Sequence, residues 1–91
     1  MKQRVLVVDD EEQILKLLTT ALEASDYDVL HARTGRQALH LIATAAPDLI
    51  VLDLGLPDID GKEVLAKARG FSTRPIIVLS ARDREAEKIE A

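Results

Sequence analysis

Four acidic residues stand side by side at positions 9–12, directly after an aliphatic run at residues 5–8. Acidic residues at a helix N-terminus are stabilised by the helix dipole, which accounts for Glu11 and Glu12 at the start of a predicted helix. This explains Asp9 and Asp10 less well, because they lie where a predicted strand ends. Adjacent carboxylates repel one another, so we expect a cation close to this pair.

Two further polar residues occupy the same kind of position. Asp53 follows an aliphatic run at residues 49–52, and Ser80 follows another at residues 76–79. Short apolar runs without alternation are typical of strands that are buried on both faces of a parallel sheet. A weaker, alternating run at residues 27–31 indicates one more strand, which is the second of the four in chain order.

Helical patterns separate these predicted strands. The apolar residues of the segment 11–24 fall on one broad arc of a helix. Thr34 and Gln37 have the spacing of a capping box, and Asp60 is placed to cap a helix over residues 61–68. A charged helical pattern begins at residue 82. Because strands and helices alternate, the sequence predicts an α/β fold with an open parallel sheet and right-handed crossovers.

The ends of the predicted strands define the candidate site. Ligands of open α/β sheets bind beyond the carboxyl ends of the strands, so Asp9, Asp10, Asp53 and Ser80 should converge there. Crowded carboxylates destabilise one another's charged forms unless a cation neutralises them. Oxygen ligands without His or Cys select a hard ion, Mg²⁺ or Mn²⁺. A lone Asp53 would more simply cap the next segment, but the joint pattern favours metal-assisted phosphoryl chemistry on an aspartate.

Composition limits the class of protein. A chain of 91 residues allows one domain, and the absence of cysteine excludes a disulfide framework. The net charge of −4 makes these residues alone a poor nucleic-acid binder. The apolar runs are too short for a membrane span or a signal peptide. We therefore expect a cytoplasmic domain that does not contact the membrane.

Three stretches carry a resemblance to a known family. "VLVVDDEE", "DLIVLDLGLPDIDG" and "PIIVLSAR" resemble the signature stretches of the receiver domain of two-component response regulators. The resemblance implies a flavodoxin-like, doubly wound parallel sheet with strand order 2-1-3-4-5. It implies that Asp53 is the phosphoacceptor and that Asp9 and Asp10 organise Mg²⁺. It also implies that the backbone carbonyl of Gly55 is a metal ligand and that Ser80 is the switch hydroxyl.

The resemblance also implies partners and an output. "LDLGLPDIDG" and "PIIVLSARDREAEKIEA" are most similar to transcription regulators with a winged-helix DNA-binding domain, of the type that regulates the Kdp potassium-transport operon. Such a receiver takes a phosphoryl group from a sensor histidine kinase and is not a classical enzyme. DNA would be bound only through a C-terminal domain that is not in this chain, and a homodimer is a further expected partner state.

The sequence departs from the family at its C-terminal side. Family receivers continue through a fifth strand, which ends in a lysine that pairs with the phosphoryl group, and a fifth helix. These are missing from the 91 residues, so we expect residues 1–91 to be a receiver domain that is incomplete at the C-terminus. Lys88 cannot replace that lysine, because it lies in the helical pattern after the fourth predicted strand. Phosphorylation of residues 1–91 by themselves is therefore not implied by the resemblance.

The missing elements also predict exposed apolar surface. We expect the fourth strand to present an aliphatic edge that can pair with another chain. We also expect one flank of the first helix to be bare near Leu15 and Leu22.

Two other functions compete with the receiver interpretation. Aspartyl-phosphate phosphohydrolases also use a strand-end Asp with Mg²⁺, but their general acid is a second Asp two residues after the nucleophile, where this chain has Gly55. A phosphorylation-independent interaction module would carry the acidic cluster only as a remnant. The complete set of strand-end residues weighs against that module for the intact sequence, but for residues 1–91 alone it stays open.

Overall fold

Strands and helices alternate along the whole described part of the chain. The computed structural model describes residues 2–53, 55–70 and 72–79. Its elements in order are β1 (Arg4–Val8), α1 (Glu12–Ala24), β2 (Asp28–Ala32), α2 (Gly35–Ala45), β3 (Leu49–Asp53), α3 (Gly61–Ala68) and β4 (Ile76–Leu79). The predicted order is confirmed for these seven elements, while the helix predicted from residue 82 lies outside the described residues.

The four strands form one parallel sheet in the order β2-β1-β3-β4. Val8, the last residue of β1, pairs with Ala32 of β2 and with Leu52 of β3. On the other side of β3, Asp53 pairs with Leu79 of β4. The predicted strand order is therefore confirmed for strands one to four. Because Val8 and Leu52 are paired on neighbouring strands, Asp9 and Asp53, which follow them in sequence, lie at the same edge of the sheet.

Alternation along the strands divides the core between the two faces of the sheet. Leu6 and Val8 belong to the cluster beneath α2 and α3, whereas Val5 and Val7 belong to the cluster beneath α1. The first cluster also contains Ala32, Ala38, Ile42, Ile50, Leu52, Val64 and Ala68. Residues 5–8 are completely buried, which confirms that β1 has helices on both of its faces.

The predicted helix caps are present, with one change of partner. Thr34 accepts a hydrogen bond from the Gln37 amide at 3.1 Å, and Asp60 accepts one from the Lys62 amide at 2.9 Å. In a capping box the side chain of Gln37 would bind the amide of Thr34. It binds the amide of Arg33 instead, at 3.0 Å. The N-termini of α2 and α3 are thus fixed by side chains close in sequence.

Two apolar surfaces remain exposed among the described residues. The expectation that Leu15 would be bare is wrong, because Leu15 is buried in the same cluster as Val5 and Val7. Leu22 is half-buried. The exposed flank of α1 carries Leu17, which is 65% exposed. Within the described sheet β4 is an edge strand, as expected, and Ile77 is 51% exposed.

No helix in the described ranges has the length and the apolar character that crossing a membrane requires.

Candidate functional site

Three of the five predicted site residues come together at the carboxyl edge of the sheet. Asp9, Asp10 and Asp53 each place one carboxylate oxygen within 4.8 Å of the others. Asp9 is 1% exposed and Asp53 is 0% exposed, while Asp10 is half-buried. In residues 2–53, 55–70 and 72–79 this is the one group of three acidic or His side chains close enough to share a metal ion.

Backbone amides orient two of these carboxylates. The amide of Glu11 donates to Oδ1 of Asp9 at 2.9 Å, and the amide of Gly55 donates to Oδ1 of Asp53 at 3.1 Å. In both cases the donor lies two residues after the aspartate, which is the geometry of an Asx turn. The chain therefore turns directly after each strand and holds each carboxylate at the sheet edge.

Asp10 provides the test of whether a cation fits. Its Oδ1 is buried and accepts no hydrogen bond from any residue that the structure describes. A buried carboxylate oxygen without a donor is unfavourable, because it has lost its hydration without a replacement. The clustered oxygens include no nitrogen or sulfur ligand, and such a set suits Mg²⁺ or Mn²⁺. The residues present therefore fit a hard divalent ion.

One basic side chain contacts this segment directly. Nη2 of Arg33 donates to the backbone carbonyl of Asp10 at 3.4 Å. Sequence analysis missed this contact, because Arg33 follows β2 and its distance from Asp10 depends on how β1 and β2 pair. Because Arg33 binds the backbone carbonyl of Asp10, this hydrogen bond does not neutralise the charge of the Asp10 carboxylate.

The loop after β3 contains a functional candidate that sequence analysis missed. Asp58 accepts hydrogen bonds from the amide of Gly35 at 2.7 Å and from the amide of Arg36 at 3.0 Å. The hydrogen bond from the Gly35 amide is the main cause that lowers the pKa of Asp58 below its ordinary value of 3.8. The only signal in the sequence was a second aspartate in "PDIDG", where Asp60 already served as the helix cap.

The other predicted site residues are only partly described. Gly55 is half-buried and is held against Asp53 through its amide. Ser80 lies outside the described residues, so its predicted role stays a prediction. Lys88, which the sequence analysis rejected as the phosphoryl-pairing lysine, also lies outside them. The last residue of β4, Leu79, pairs with Asp53.

Comparison with known proteins identifies the family. The sequence model of the response regulator receiver domain matches residues 5–91. This chain belongs to the response regulator receiver domain family. The resemblance in the three signature stretches is thereby confirmed, and the receiver domain is part of two-component signal transduction.

Curated relatives of this receiver chain are transcriptional regulators. KdpE of Mycobacterium tuberculosis strain H37Rv is 49% identical over 87 residues, which cover 96% of this chain and 38% of that protein. KdpE of Escherichia coli K12 is 51% identical over 87 residues, covering 96% and 39%. PhoP of Bacillus subtilis 168 is 48% identical over 90 residues, covering 98% and 38%. The chain thus spans about two fifths of the length of these relatives.

Solved receiver structures share the fold. Chemotaxis protein CheY4 of Vibrio cholerae has a TM-score of 0.82 at 26% identity, covering 99% of this chain and 80% of that one. The BeF3-activated receiver domain of Klebsiella pneumoniae RstA has a TM-score of 0.81 at 28% identity, covering 97% and 78%. The Francisella response regulator 1452 receiver domain has a TM-score of 0.80 at 31% identity, covering 98% and 77%. The predicted flavodoxin-like fold is confirmed.

Proposed function

We propose that Asp53 is the phosphoacceptor of this receiver and takes its phosphoryl group from the phosphohistidine of a sensor histidine kinase. The observation that carries the proposal is the buried Asp53 carboxylate, held at the sheet edge beside Asp9 and Asp10. A structural aspartate that only capped the next segment would not need two further carboxylates beside it. A phosphoacceptor needs them, because they can hold the cation that offsets the charge of the transferred group.

The transfer exchanges one bond for another. A carboxylate oxygen of Asp53 attacks the phosphorus, an oxygen–phosphorus bond forms, and the bond between phosphorus and the kinase imidazole breaks. The imidazole nitrogen keeps the bonding electron pair and takes up a proton, so the products are an acyl phosphate and a neutral histidine. The Gly55 amide, which donates to Oδ1 of Asp53, holds the carboxylate in one orientation before the attack.

Asp9, Asp10, Asp53 and the carbonyl of Gly55 would hold the metal ion, Mg²⁺ or Mn²⁺. A bound Mg²⁺ would offset the negative charge that collects on the transferring oxygens. The residues themselves act before the reaction. Glu11, through its amide, fixes the Asp9 carboxylate, and Asp10 offers a buried oxygen that accepts no hydrogen bond from the described residues.

The proposal includes the output of the whole protein. Ser80 is the hydroxyl that turns toward the phosphoryl group and converts its presence into a conformational change. Transcription is then regulated in the cytoplasm through a DNA-binding domain that lies outside these 91 residues. A second copy of the protein, forming a homodimer, is a further proposed partner. Support comes from the KdpE and PhoP relatives, which are transcriptional regulators. We assign residues 1–91 to a single receiver domain.

Intact-mass measurement of the full-length protein tests the phosphoacceptor. The protein is incubated with acetyl phosphate and Mg²⁺, and the phosphorylated fraction is compared between wild type and Asp53→Asn. Asp28→Asn is the matched control, since Asp28 is an exposed aspartate at the opposite end of a strand. We expect labelling of wild type and Asp28→Asn, and loss of labelling in Asp53→Asn or when the metal is chelated. Equal labelling of wild type and Asp53→Asn would refute the assignment.

A further inference from the structure

The loop that follows the proposed phosphoacceptor is fixed to two helices. We call residues 55–60 the phosphosite loop. At its start the Gly55 amide binds Asp53, and at its end Asp60 caps α3. Between these points Asp58 binds the first two amides of α2, those of Gly35 and Arg36, which are more than twenty positions away in sequence. The middle of the loop is therefore tied to a helix that is not its chain neighbour.

An apolar contact adjoins this polar one. Gly35 is buried, and a Cβ atom at this position would meet Cγ1 of Ile59 and would lie 2.7 Å from its Cδ1. Ile59 therefore packs directly against the α2 backbone, next to the amides that Asp58 binds. The loop is held to α2 by a pair of adjacent residues, one through hydrogen bonds and one through packing.

We infer that Asp58 is a positioning residue, which holds the phosphosite loop and its Gly55 in the geometry that the Asp53 site requires; this inference rests on the proposed function. Asp58 would act through the loop backbone, because its hydrogen bonds described above go to the amides of Gly35 and Arg36 and not to the carboxylate cluster. Without Asp58, the loop keeps its two ends and the packing of Leu56 and Ile59. It loses its hydrogen bonds to α2, so Gly55 is held less firmly beside Asp53. Mutation of a group that orients metal ligands from outside the coordination sphere typically lowers metal affinity by about 10–100-fold.

A plain helix-capping role is the competing explanation. The amides of Gly35 and Arg36 are N-terminal donors of α2, and Asp58 satisfies them as an N-cap would. However, α2 already has its own cap in Thr34, which binds the Gln37 amide. The lowered pKa of Asp58 shows that the carboxylate interacts favourably with these amides while charged. Thr34 and Asp58 thus cap the same helix end, but Asp58 alone of the two joins that end to the phosphosite loop.

Thr34→Ala is a matched control for Asp58→Ala, because both variants remove a cap from the N-terminus of α2. Full-length wild type, Asp58→Ala, Asp58→Asn and Thr34→Ala are compared by two measurements. Hydrogen exchange over a peptide that covers residues 55–60, followed by mass spectrometry without metal, reports the order of the loop. Isothermal titration with Mg²⁺ reports the affinity of the site. Both alanine variants should unfold at a lower temperature than wild type, so thermal stability alone does not distinguish the two roles.

The inference predicts that only Asp58→Ala speeds exchange in the phosphosite loop and weakens Mg²⁺ binding, by about tenfold or more. Asp58→Asn should fall between Asp58→Ala and wild type, because the amide side chain keeps one of the two acceptor oxygens. Thr34→Ala should match wild type in both measurements. Exchange in Asp58→Ala that equals wild type, or equal changes in Thr34→Ala, would overturn the inference. A wild type that binds no Mg²⁺ would instead contradict the proposed function, while the metal-free exchange would still decide the role of Asp58.

Discussion

Asp53 and Leu79 are paired in the parallel register of β3 and β4. Asp53 is the last residue of β3 and Leu79 is the last residue of β4, so the described parts of both strands end at the same level of the sheet. The next residue in sequence after Leu79 is Ser80. The role of the Ser80 hydroxyl as a sensor of a phosphoryl group on Asp53 stays a prediction.

Ser80→Ala should separate phosphorylation from output. The variant keeps Asp53 and the metal-binding carboxylates, so acetyl phosphate should label it nearly as well as wild type. It lacks the hydroxyl that would form a charge-assisted hydrogen bond to the phosphoryl group, so its transcriptional output should fall. The measurement is in vitro transcription at equal phosphorylated fractions, with Ser25→Ala, an exposed serine after α1, as control. Wild-type output from phosphorylated Ser80→Ala would argue against the switch role.

Asp10→Asn should have opposite effects on stability with and without Mg²⁺. Removing one of three clustered charges relieves repulsion, so the metal-free variant should unfold at a higher temperature than wild type. A bound ion stabilises the folded state according to its affinity, so the rise in Tm on adding Mg²⁺ should be smaller in the variant. Thermal unfolding at several Mg²⁺ concentrations measures both effects, with Asp28→Asn as control. The same Mg²⁺-dependent rise in both proteins would show that Asp10 does not bind the ion.

The lowered pKa of Asp58 predicts how its contribution to stability depends on pH. Its carboxylate is charged in the folded state down to a lower pH than in the unfolded chain, where its ordinary value is 3.8. The stabilisation is therefore fully present above the unfolded-state pKa and is lost as the pH falls through the folded-state pKa. The difference in free energy of unfolding between wild type and Asp58→Asn should therefore shrink as the pH falls below the ordinary value of 3.8.

Urea unfolding at a series of pH values checks this expectation. Asp26→Asn is the control, since Asp26 is an exposed aspartate that forms an ion pair with Lys2. All other carboxylates are common to both members of each comparison, so their contributions cancel in the difference. A wild-type advantage over Asp58→Asn that grows as the pH falls would contradict the assigned hydrogen bonds.

Gly35→Ala should destabilise the protein by overpacking. The added methyl group would meet Cγ1 of Ile59 and would approach Cγ2 of Val64 to 2.9 Å. Extra atoms in a packed core typically cost about 1–3 kcal/mol. Ile59→Ala removes the main obstacle, so the double variant should lose less stability than the sum of the two single variants. Urea unfolding of the four proteins gives this coupling, and strictly additive losses would show that Ile59 does not pack on Gly35.

The exposed edge of the described sheet predicts self-association of the isolated residues 1–91. β4 is the edge strand there, Ile77 is half exposed, and unpaired strand edges are templates for another chain. Ile77→Lys should reduce association, because a lysine on an edge strand opposes pairing. Lys16→Ala, a change of an exposed helix residue, is the comparison. Analytical ultracentrifugation decides the matter, and a wild-type monomer at micromolar concentration would show that the edge does not associate.

The sequence alone determined the elements and most of the site, because these follow from local patterns. An aliphatic run followed by an acidic residue indicates a buried strand and its end. In a parallel sheet this pattern is enough to place Asp9, Asp10 and Asp53 at one sheet edge. Helix caps such as Asp60 depend on residues two or three positions apart, so their spacing could be read directly. The strand order came from the resemblance to receivers, and the structure agrees over four strands.

Tertiary structure decided which surfaces meet. The apolar arc of α1 was too broad to show which flank faces the sheet, and packing buried Leu15 while leaving Leu17 exposed. The contacts of Asp58 with Gly35 and Arg36 also had no local signature, because Asp58 binds backbone amides, which every residue except proline carries. Whether the Asp58 carboxylate reaches these amides depends on how the sheet positions the loop after β3 relative to the start of α2. That distance is fixed only when β1, β3 and the helices above them have packed together.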